Sequence, residues 1–229
     1  IWSRLVGSEM CIRDRVTIIK ENLVDKISKI KSKKKSSFYS IDKSIAGESH
    51  HKKISRVSSF LKRNKYDYLF ITAPENVAWL LNIRGYDSPT SPIPNSNLLL
   101  TKEKQVFLIV EKNKTTKLLS EKKLKQNQII DPKYILDFFD KLKKGTILID
   151  EKTCSLYFEK VIEKKLKIKK KEDPIYILKS IKNNIEIKNM INAHVIDGVA
   201  LTKFIYWIKN LKKMNITEVD AQNKLDQIR

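Results

Sequence analysis

From residue 47 to about residue 171, the sequence alternates short apolar runs with segments of helical periodicity. Because predicted strands and helices alternate along the chain, the strands should form a parallel or mixed sheet that helices cover. We therefore predict an α/β fold with a mixed sheet of about five or six strands flanked by helices. The apolar runs typical of buried strands are 68–72, 97–101, 105–110 and 146–150.

Three residues mark the expected starts of helices in this region. Ser49 can cap a helix N-terminus, and the apolar residues after it have helical spacing. Pro74 suits the first turn of a second helix, which contains Trp79. Thr153 is expected to cap a third helix. The apolar positions of the first helix are Ile54, Val57, Phe60 and Leu61.

Two further patterns concern the edges of the sheet. The runs 97–101 and 105–110 flank the polar turn 102–104 and should pair as a hairpin. Residues 128–130, Gln-Ile-Ile, predict a further short strand, and 166–168 predict an edge strand. Lysines follow that edge strand directly, and charged residues of this kind prevent further strand pairing.

The run 76–87 changes abruptly from apolar to polar and then reaches three prolines within 89–94. We predict a helix that uses Trp79 as a buried anchor and ends at Gly85, which can adopt a positive φ. Arg84 and Asp87 would then lie on a proline-stiffened loop that presents polar groups. Residue chemistry alone favours the simpler interpretation, a helix end with solvated charges.

After Pro174 the pattern becomes one long helix, from about residue 184 to 212. Thr217 and Asp220 resemble a capping box and predict a last helix, 217–229. The long helix needs a partner domain, because its apolar positions form one continuous stripe. The stripe comprises Ile187, Ile191, His194, Gly198, Leu201, Ile205 and Ile208.

The histidines allow a functional and a structural interpretation. His194 and Asp197 share a helix face, so a ligand or a base is conceivable. A core histidine satisfied by a carbonyl, with Gly198 admitting a neighbouring backbone, explains the pattern more simply. His50 and His51 beside a carboxylate are better explained as a solvated helix start than as a metal site.

Composition argues against several classes of protein. The net charge is +21, but only seven of the 47 basic residues are arginine and the lysine runs lack aromatic residues, so we predict no nucleic-acid binding. No apolar run is long enough to cross a membrane. The two cysteines cannot build a disulfide framework, and a cytoplasmic location is the default. The sequence contains no zincin, C-x-x-C, nucleophile-elbow or P-loop motif.

Residues 1–15 differ from the rest of the chain in composition and lack periodicity. They resemble a translated library adapter, so we predict an assembly scar and exclude them from the fold. A genuine irregular N-terminus is the alternative.

Three motifs carry a family resemblance. The first, A-W-L-x-N-I-R-G-x-D, occupies 78–87, and a proline-rich loop follows it. The second, K-x-I-K-N-x-x-E-I-x-x-M, occupies 179–190, and the third, A-H-x-x-D-G-V-A-L, occupies 193–201. In register over about residues 22–229, the chain resembles aminopeptidase P, the metal-dependent Xaa-Pro aminopeptidase of the creatinase or pita-bread superfamily.

The resemblance implies a division into domains. Residues 16–46 would be the end of a first domain and a linker, and 47–180 would be a creatinase N-terminal-like middle domain. Residues 181–229 would be the first helices of a pita-bread catalytic domain, so the chain is expected to be an incomplete piece of the enzyme.

The resemblance also implies an activity and a cofactor for the full-length parent. That parent would remove an N-terminal residue preceding proline, using two divalent metal ions, typically manganese. The family's two Asp, one His and two Glu ligands would all lie beyond Arg229, so this chain would contain no catalytic residue, bind no metal and be inactive alone. Arg84, Asp87 and His194 are its substrate-side candidates.

The expected partner is a peptide with proline at its second position, and a homodimer is one expected assembly. Two other functions remain open: a noncatalytic creatinase-like interaction module and a basic RNA-associated protein. The reading frame after Arg229 distinguishes the enzyme from the module, because the enzyme requires the metal ligands there.

Overall fold

The computed structural model describes residues 27, 37–88, 90–211 and 216–229. The chain divides into two units, Ile1–Lys34 and Lys35–Arg229, and every described residue except Ile27 belongs to the second. The predictions for the scar at 1–15 and for most of 16–36 therefore lie outside the described residues.

Six strands form one mixed sheet, as predicted. They are β2 (Tyr68–Ile71), β4 (Asn97–Thr101), β5 (Val106–Ile109), β6 (Ile129–Ile130), β7 (Thr146–Ile149) and β8 (Lys167–Lys170), and β1 (Tyr39–Ser40) and β3 (Ile83–Arg84) form a separate antiparallel pair. The order in the sheet is β6-β5-β4-β2-β7-β8. β4 pairs antiparallel with both β2 and β5, which confirms the hairpin, whereas β2, β7 and β8 are parallel.

Nine α-helices accompany these strands within the described residues. They are α1 (Lys43–Ala46), α2 (His50–Arg63), α3 (Pro74–Leu81), α4 (Thr116–Ser120), α5 (Ile135–Asp140), α6 (Leu156–Glu163), α7 (Ile175–Ser180), α8 (Asn184–Lys209) and α9 (Glu218–Ile228). The predicted caps at Ser49 and Thr217 are present, and Pro74 is the first residue of α3. In this part of the chain, no helix is both long and apolar enough to span a membrane.

The core lies on both faces of the sheet. Alternation along β2 sends Leu69 and Ile71 to one face, where they pack with Val57 and Leu61 of α2. Phe70 points to the other face and meets Phe139 of α5 edge-on, with ring centroids 5.4 Å apart. The sheet is therefore covered on both sides, as a mixed α/β sheet requires.

Two predictions about helix ends were wrong. α3 ends at Asn82, not at Gly85, and Asn82 has the left-handed conformation, with φ 52° and ψ 50°. Asparagine tolerates this region because its short amide can bond to nearby backbone. α6 is capped by Ser155 rather than Thr153, because it is the Ser155 hydroxyl that accepts from the Phe158 backbone amide, at 3.4 Å. The Thr153 hydroxyl lies 2.7 Å from the Thr72 hydroxyl.

The long helix α8 exposes most of its apolar side chains. Ala200 is its one buried residue, whereas Ile191 is 58% exposed. α9 contacts α8, and Arg229 Nε lies 2.7 Å from Asp197 Oδ1. The predicted apolar stripe is thus present, and most of it faces away from the described residues.

Candidate functional site

A cleft of about 530 Å³ opens between the C-terminal end of α3, α1, the loop at 91–93, the end of α7 and the start of α8. Its walls are apolar, and six charged side chains reach them. The apolar lining includes Ile41, Ile45, Trp79, Pro92, Ile93 and Met190, and the charged lining is Lys53, Glu75, Arg84, Lys179, Lys182 and Glu186.

Lys53 is almost completely buried at the base of this cleft, with 2% of its surface exposed. Its Nζ donates to the Trp79 carbonyl at 3.1 Å and to Asn82 Oδ1 at 2.8 Å. The same atom lies 4.2 Å from the centre of the Trp79 ring. Burial lowers the pKa of Lys53 to about 8, although the nearby carboxylates of Glu186 and Glu48 favour its charged form.

Arg84 is a half-buried cation on the same wall. It belongs to β3, where it pairs with Tyr39 of β1. Its guanidinium donates to the carbonyls of Ala78 at 3.3 Å and Ile83 at 2.8 Å. Burial lowers the pKa of the guanidinium. Lys53 and Arg84 therefore both bind backbone carbonyls at the end of α3, where the helix dipole is negative.

Asn82 and Gly85 shape the backbone that presents Arg84. The Asn82 amide accepts from Lys53 and donates to the Glu48 carbonyl at 2.7 Å, so it connects α2 with the end of α3. A Cβ on Gly85 would lie only 2.9 Å from Phe38 Cδ1 and from Pro94 Cα. Gly85 is therefore required by close packing rather than by a positive φ.

The opposite wall is held by contacts between α1 and α8. Gly47 ends α1 at φ 72°, and a Cβ there would overlap the Asn183 side chain at 2.1 Å. Asn183 caps α8 and donates to the Ala46 carbonyl at 3.0 Å, while Asn189 donates to the Ile45 carbonyl at 3.1 Å. The first turns of α8 are thus fixed against α1 at the cleft.

A buried polar network fastens α7 to α3 beside the cleft. Asn76 donates to Asp173 Oδ2 at 2.8 Å and accepts from Lys179 Nζ at 2.7 Å. Asp173 also accepts from the Ile175 amide at 2.9 Å and, through its own amide, donates to Asp150 Oδ2 at 3.0 Å. Burial raises the pKa of Asp173 to about 6, against the lowering effect of these hydrogen bonds.

The structure does not bring together the three substrate-side candidates that were predicted from the sequence. Arg84 lines the cleft, but Asp87 and His194 do not. Asp87 accepts from Lys114 Nζ at 2.7 Å and from the Asn95 amide at 2.8 Å, which stabilises the proline-containing loop. His194 is exposed on α8, with Nδ1 2.8 Å from the Met190 carbonyl. Their substrate-side role stays a prediction.

Trp79 differs from the expected buried anchor. It is half-buried, packs against the core from the wall of the cleft, and leaves its indole nitrogen without a hydrogen-bond partner. Its ring is covered by Lys53 and, at 5.9 Å, by Arg56. The apolar residues around Trp79 in the sequence predicted that it would be buried, but one side of the ring faces the cleft and is not covered by packing.

Sequence reasoning missed Lys53, Asn76 and Asp173. One signal was available for Lys53, which stands four residues before Val57 and eight before Leu61, on the apolar face of α2. A lysine in such a stripe predicts a buried cation with specific partners. No comparable signal marks Asn76 or Asp173, because their partners are distant in sequence.

The comparisons with known proteins identify the family. A model of the creatinase/prolidase N-terminal domain matches residues 29–186. The chain belongs to the creatinase/prolidase N-terminal domain family. A probable Xaa-Pro aminopeptidase P of Aspergillus niger is 31% identical over 198 residues, which are 80% of this chain and 32% of that protein. The chain spans about a third of the length of the curated relatives it matches most fully.

Solved structures confirm the fold of this family. An X-prolyl aminopeptidase from Caenorhabditis elegans, described as a cytosolic enzyme with a di-nuclear active site, has a TM-score of 0.74 at 22% identity and covers 92% of this chain and 36% of its own. An Xaa-Pro dipeptidase from Bacillus anthracis has a TM-score of 0.59 at 15% identity, covering 78% and 48%. The predicted resemblance and α/β fold are therefore confirmed.

The described residues do not fit the dinuclear metal centre that the resemblance implies. Over 37–88, 90–211 and 216–229, no three His, Cys, Asp or Glu side chains are placed to hold a metal ion together. The rings of His50 and His51 are tilted by 37° to each other, with centroids 3.9 Å apart, at the start of α2. Burial and the charge of Lys123 lower the pKa of His50 to about 4.

Proposed function

We propose that this chain is a noncatalytic part of a longer metal-dependent Xaa-Pro aminopeptidase. Its family domain would fix the geometry at the mouth of the active site, and the metal ions, manganese in our proposal, would be held by residues outside it. The substrate would be a peptide with proline at its second position. We also propose a cytoplasmic location, which the description of the Caenorhabditis elegans relative as cytosolic supports.

One observation carries this proposal. The match to the family domain ends at residue 186, where α8 begins, and α8 then exposes a continuous apolar stripe. Ile187, Ile191 and Ile205 are 45%, 58% and 45% exposed. An exposed apolar stripe on a long helix favours a covering layer, because helices in proteins gain most of their stability from packing an apolar face against other elements.

The chemistry explains why such an enzyme is specialised. A bond to proline is a tertiary amide without an N–H, and the proline ring crowds it. In an enzyme of this kind, two divalent metals supply a polarised carbonyl and an activated water when they are bound. This chain would contribute the rigid wall formed by α3, β3 and the start of α8, with Arg84 as the residue proposed to face substrate.

The test compares the 229-residue chain with a longer product of the same reading frame. The longer product should release the first residue of an Xaa-Pro-Xaa tripeptide when manganese is supplied, and chelation should abolish the release. An Xaa-Ala-Xaa tripeptide is the matched control and should be cleaved poorly. The 229-residue chain should cleave neither peptide, and cleavage by that chain would contradict the proposal.

The same reading frame tests the noncatalytic alternative. An enzyme requires two Asp, one His and two Glu in the added segment. A longer product that covers α8 but lacks these ligands and cleaves neither tripeptide would favour an interaction module.

A further inference from the structure

The charged side chains of the cleft are not paired with one another. Lys53, Arg84, Lys179 and Lys182 line it together with two carboxylates, Glu75 and Glu186. Within the described residues, none of the four cations forms an ion pair with a carboxylate. The cleft therefore carries excess positive charge.

The four cations instead bind neutral oxygen atoms. Lys53 and Arg84 donate to carbonyls at the end of α3, and Lys179 donates to the Asn76 amide oxygen. Lys182 donates to the Lys179 carbonyl. Charged donors prefer charged acceptors, and hydrogen bonds between them are about twice as strong as neutral ones.

The two carboxylates are also occupied by neutral donors. The Glu186 carboxylate accepts from the backbone N–H of Asn183 at 2.9 Å as part of the cap of α8. Glu75 accepts from the Tyr176 hydroxyl at 3.1 Å. The negative charges of these two carboxylates act on the cations at a distance, but neither carboxylate forms an ion pair with one of them. The end of α3 adds about half a negative charge, which is less than the two cations bound to it.

We propose that the cleft binds a small monocarboxylate with a short aliphatic body. The carboxylate would lie between Arg84 and Lys53, and the aliphatic part would contact the apolar wall formed by Ile45, Trp79 and Met190. Arg84 suits this role because its guanidinium has five donors in a planar fork, and two contacts to carbonyls leave others available. This inference does not depend on peptide cleavage.

The size and lining of the cleft agree with such a ligand. A volume of about 530 Å³ lies in the usual range for small-molecule sites, which are mostly apolar with a few convergent polar groups. A water-filled cleft would leave Lys53 buried without a negative partner, which is unfavourable for an ammonium group. A bound carboxylate would supply that partner.

The experiment uses the 229-residue chain and two matched probes, N-acetyl-L-leucine and its neutral analogue N-acetyl-L-leucinamide. Nuclear magnetic resonance follows the Trp79 indole and the amides of 78–84 during each titration. The acid should produce saturable shifts there, and the amide should bind at least tenfold more weakly. A tenfold difference corresponds to about 1.4 kcal/mol, at the lower limit of a charge-assisted hydrogen bond.

Two variants test which residue binds the carboxylate of the probe. Arg84→Gln should weaken binding of the acid about tenfold without changing binding of the amide. Lys62→Gln removes the same charge from the exposed side of α2 and should change neither. Equal binding of both probes, shifts located elsewhere, no shifts at all, or an unchanged affinity in Arg84→Gln would each overturn the proposal. The wild-type comparison of acid with amide needs no variant to fold.

Discussion

Lys53 on α2 donates to the side chain of Asn82, the residue whose left-handed backbone ends α3, and this buried bond is 2.8 Å long. The same amide donates to the Glu48 carbonyl. One residue thus performs two functions, because it terminates a helix and also holds the base of the cleft together. Both functions can be separated by substitution.

Asn82→Ala removes both hydrogen bonds and places a Cβ without an amide in the left-handed region. We expect a loss of about 2 to 4 kcal/mol of unfolding free energy, of which about 1 kcal/mol is backbone strain. Asn82→Gly also removes the hydrogen bonds, but glycine adopts the left-handed conformation without strain. The glycine variant should therefore be more stable than the alanine variant. Urea unfolding measures both. Equal midpoints for the two variants would contradict the strain contribution.

Trp79→Ala should cost less than truncation of a fully enclosed tryptophan. The ring is half-buried and covered by Lys53 on one side, so we expect a loss of about 2 to 4 kcal/mol. Trp79→Phe should cost about 1 kcal/mol, because the indole N–H that it removes has no hydrogen-bond partner. Urea midpoints of both variants check this. A phenylalanine variant as unstable as the alanine variant would show that the indole makes an essential contact.

The sequence predicted the sheet because the relevant signals are local. The four central strands β2, β4, β5 and β7 are apolar runs, and the hairpin turn and the edge lysines lie next to or within the strands they affect. The caps at Ser49 and Thr217 were predictable for the same reason. The resemblance added the family, which periodicity alone does not identify.

The cleft was not predictable, because its chemistry depends on distant residues. Asn76 contacts Asp173 across 97 positions, and Asn183 contacts Ala46 across 137. The error at Gly85 has a similar origin. Glycine there accommodates Phe38 and Pro94, and neither contact is encoded near the helix end.

Lys65→Gly should stabilise the protein. Lys65 is exposed just after α2 and has a φ of 58°, a conformation that costs a residue with a side chain about 1 kcal/mol. The greater entropy of glycine in the unfolded chain offsets part of this gain, leaving about 0.5 kcal/mol. Lys62→Gly is the matched control inside α2 and should lose about 1 kcal/mol. A destabilised Lys65→Gly variant would contradict the strain at this position.

Asp173 should make stability depend on pH. Its pKa is about 6 in the folded chain and near 4 when unfolded, so between these values the folded state binds more protons. The contribution of this group to stability is therefore largest at low pH and decreases as pH rises through 6. Relative to Asp173→Asn, the wild type should lose about 2 kcal/mol between pH 4.5 and 7.5. Parallel stability curves for the two proteins would contradict the raised pKa.

The exposed stripe of α8 should make the 229-residue chain self-associate. Ile191 lies near the middle of the helix with 58% of its surface exposed, so a carboxylate there should interrupt any apolar contact between copies. Ile191→Asp should lower the weight-average mass in sedimentation at micromolar concentration while leaving the urea midpoint unchanged, because few described residues pack on this side chain. Lys203→Gln is the matched control, since it changes the net charge by the same amount on the side of α8 that is opposite the stripe. Association that persists in Ile191→Asp, or that Lys203→Gln abolishes equally, would show that charge or another surface, rather than the stripe, causes it.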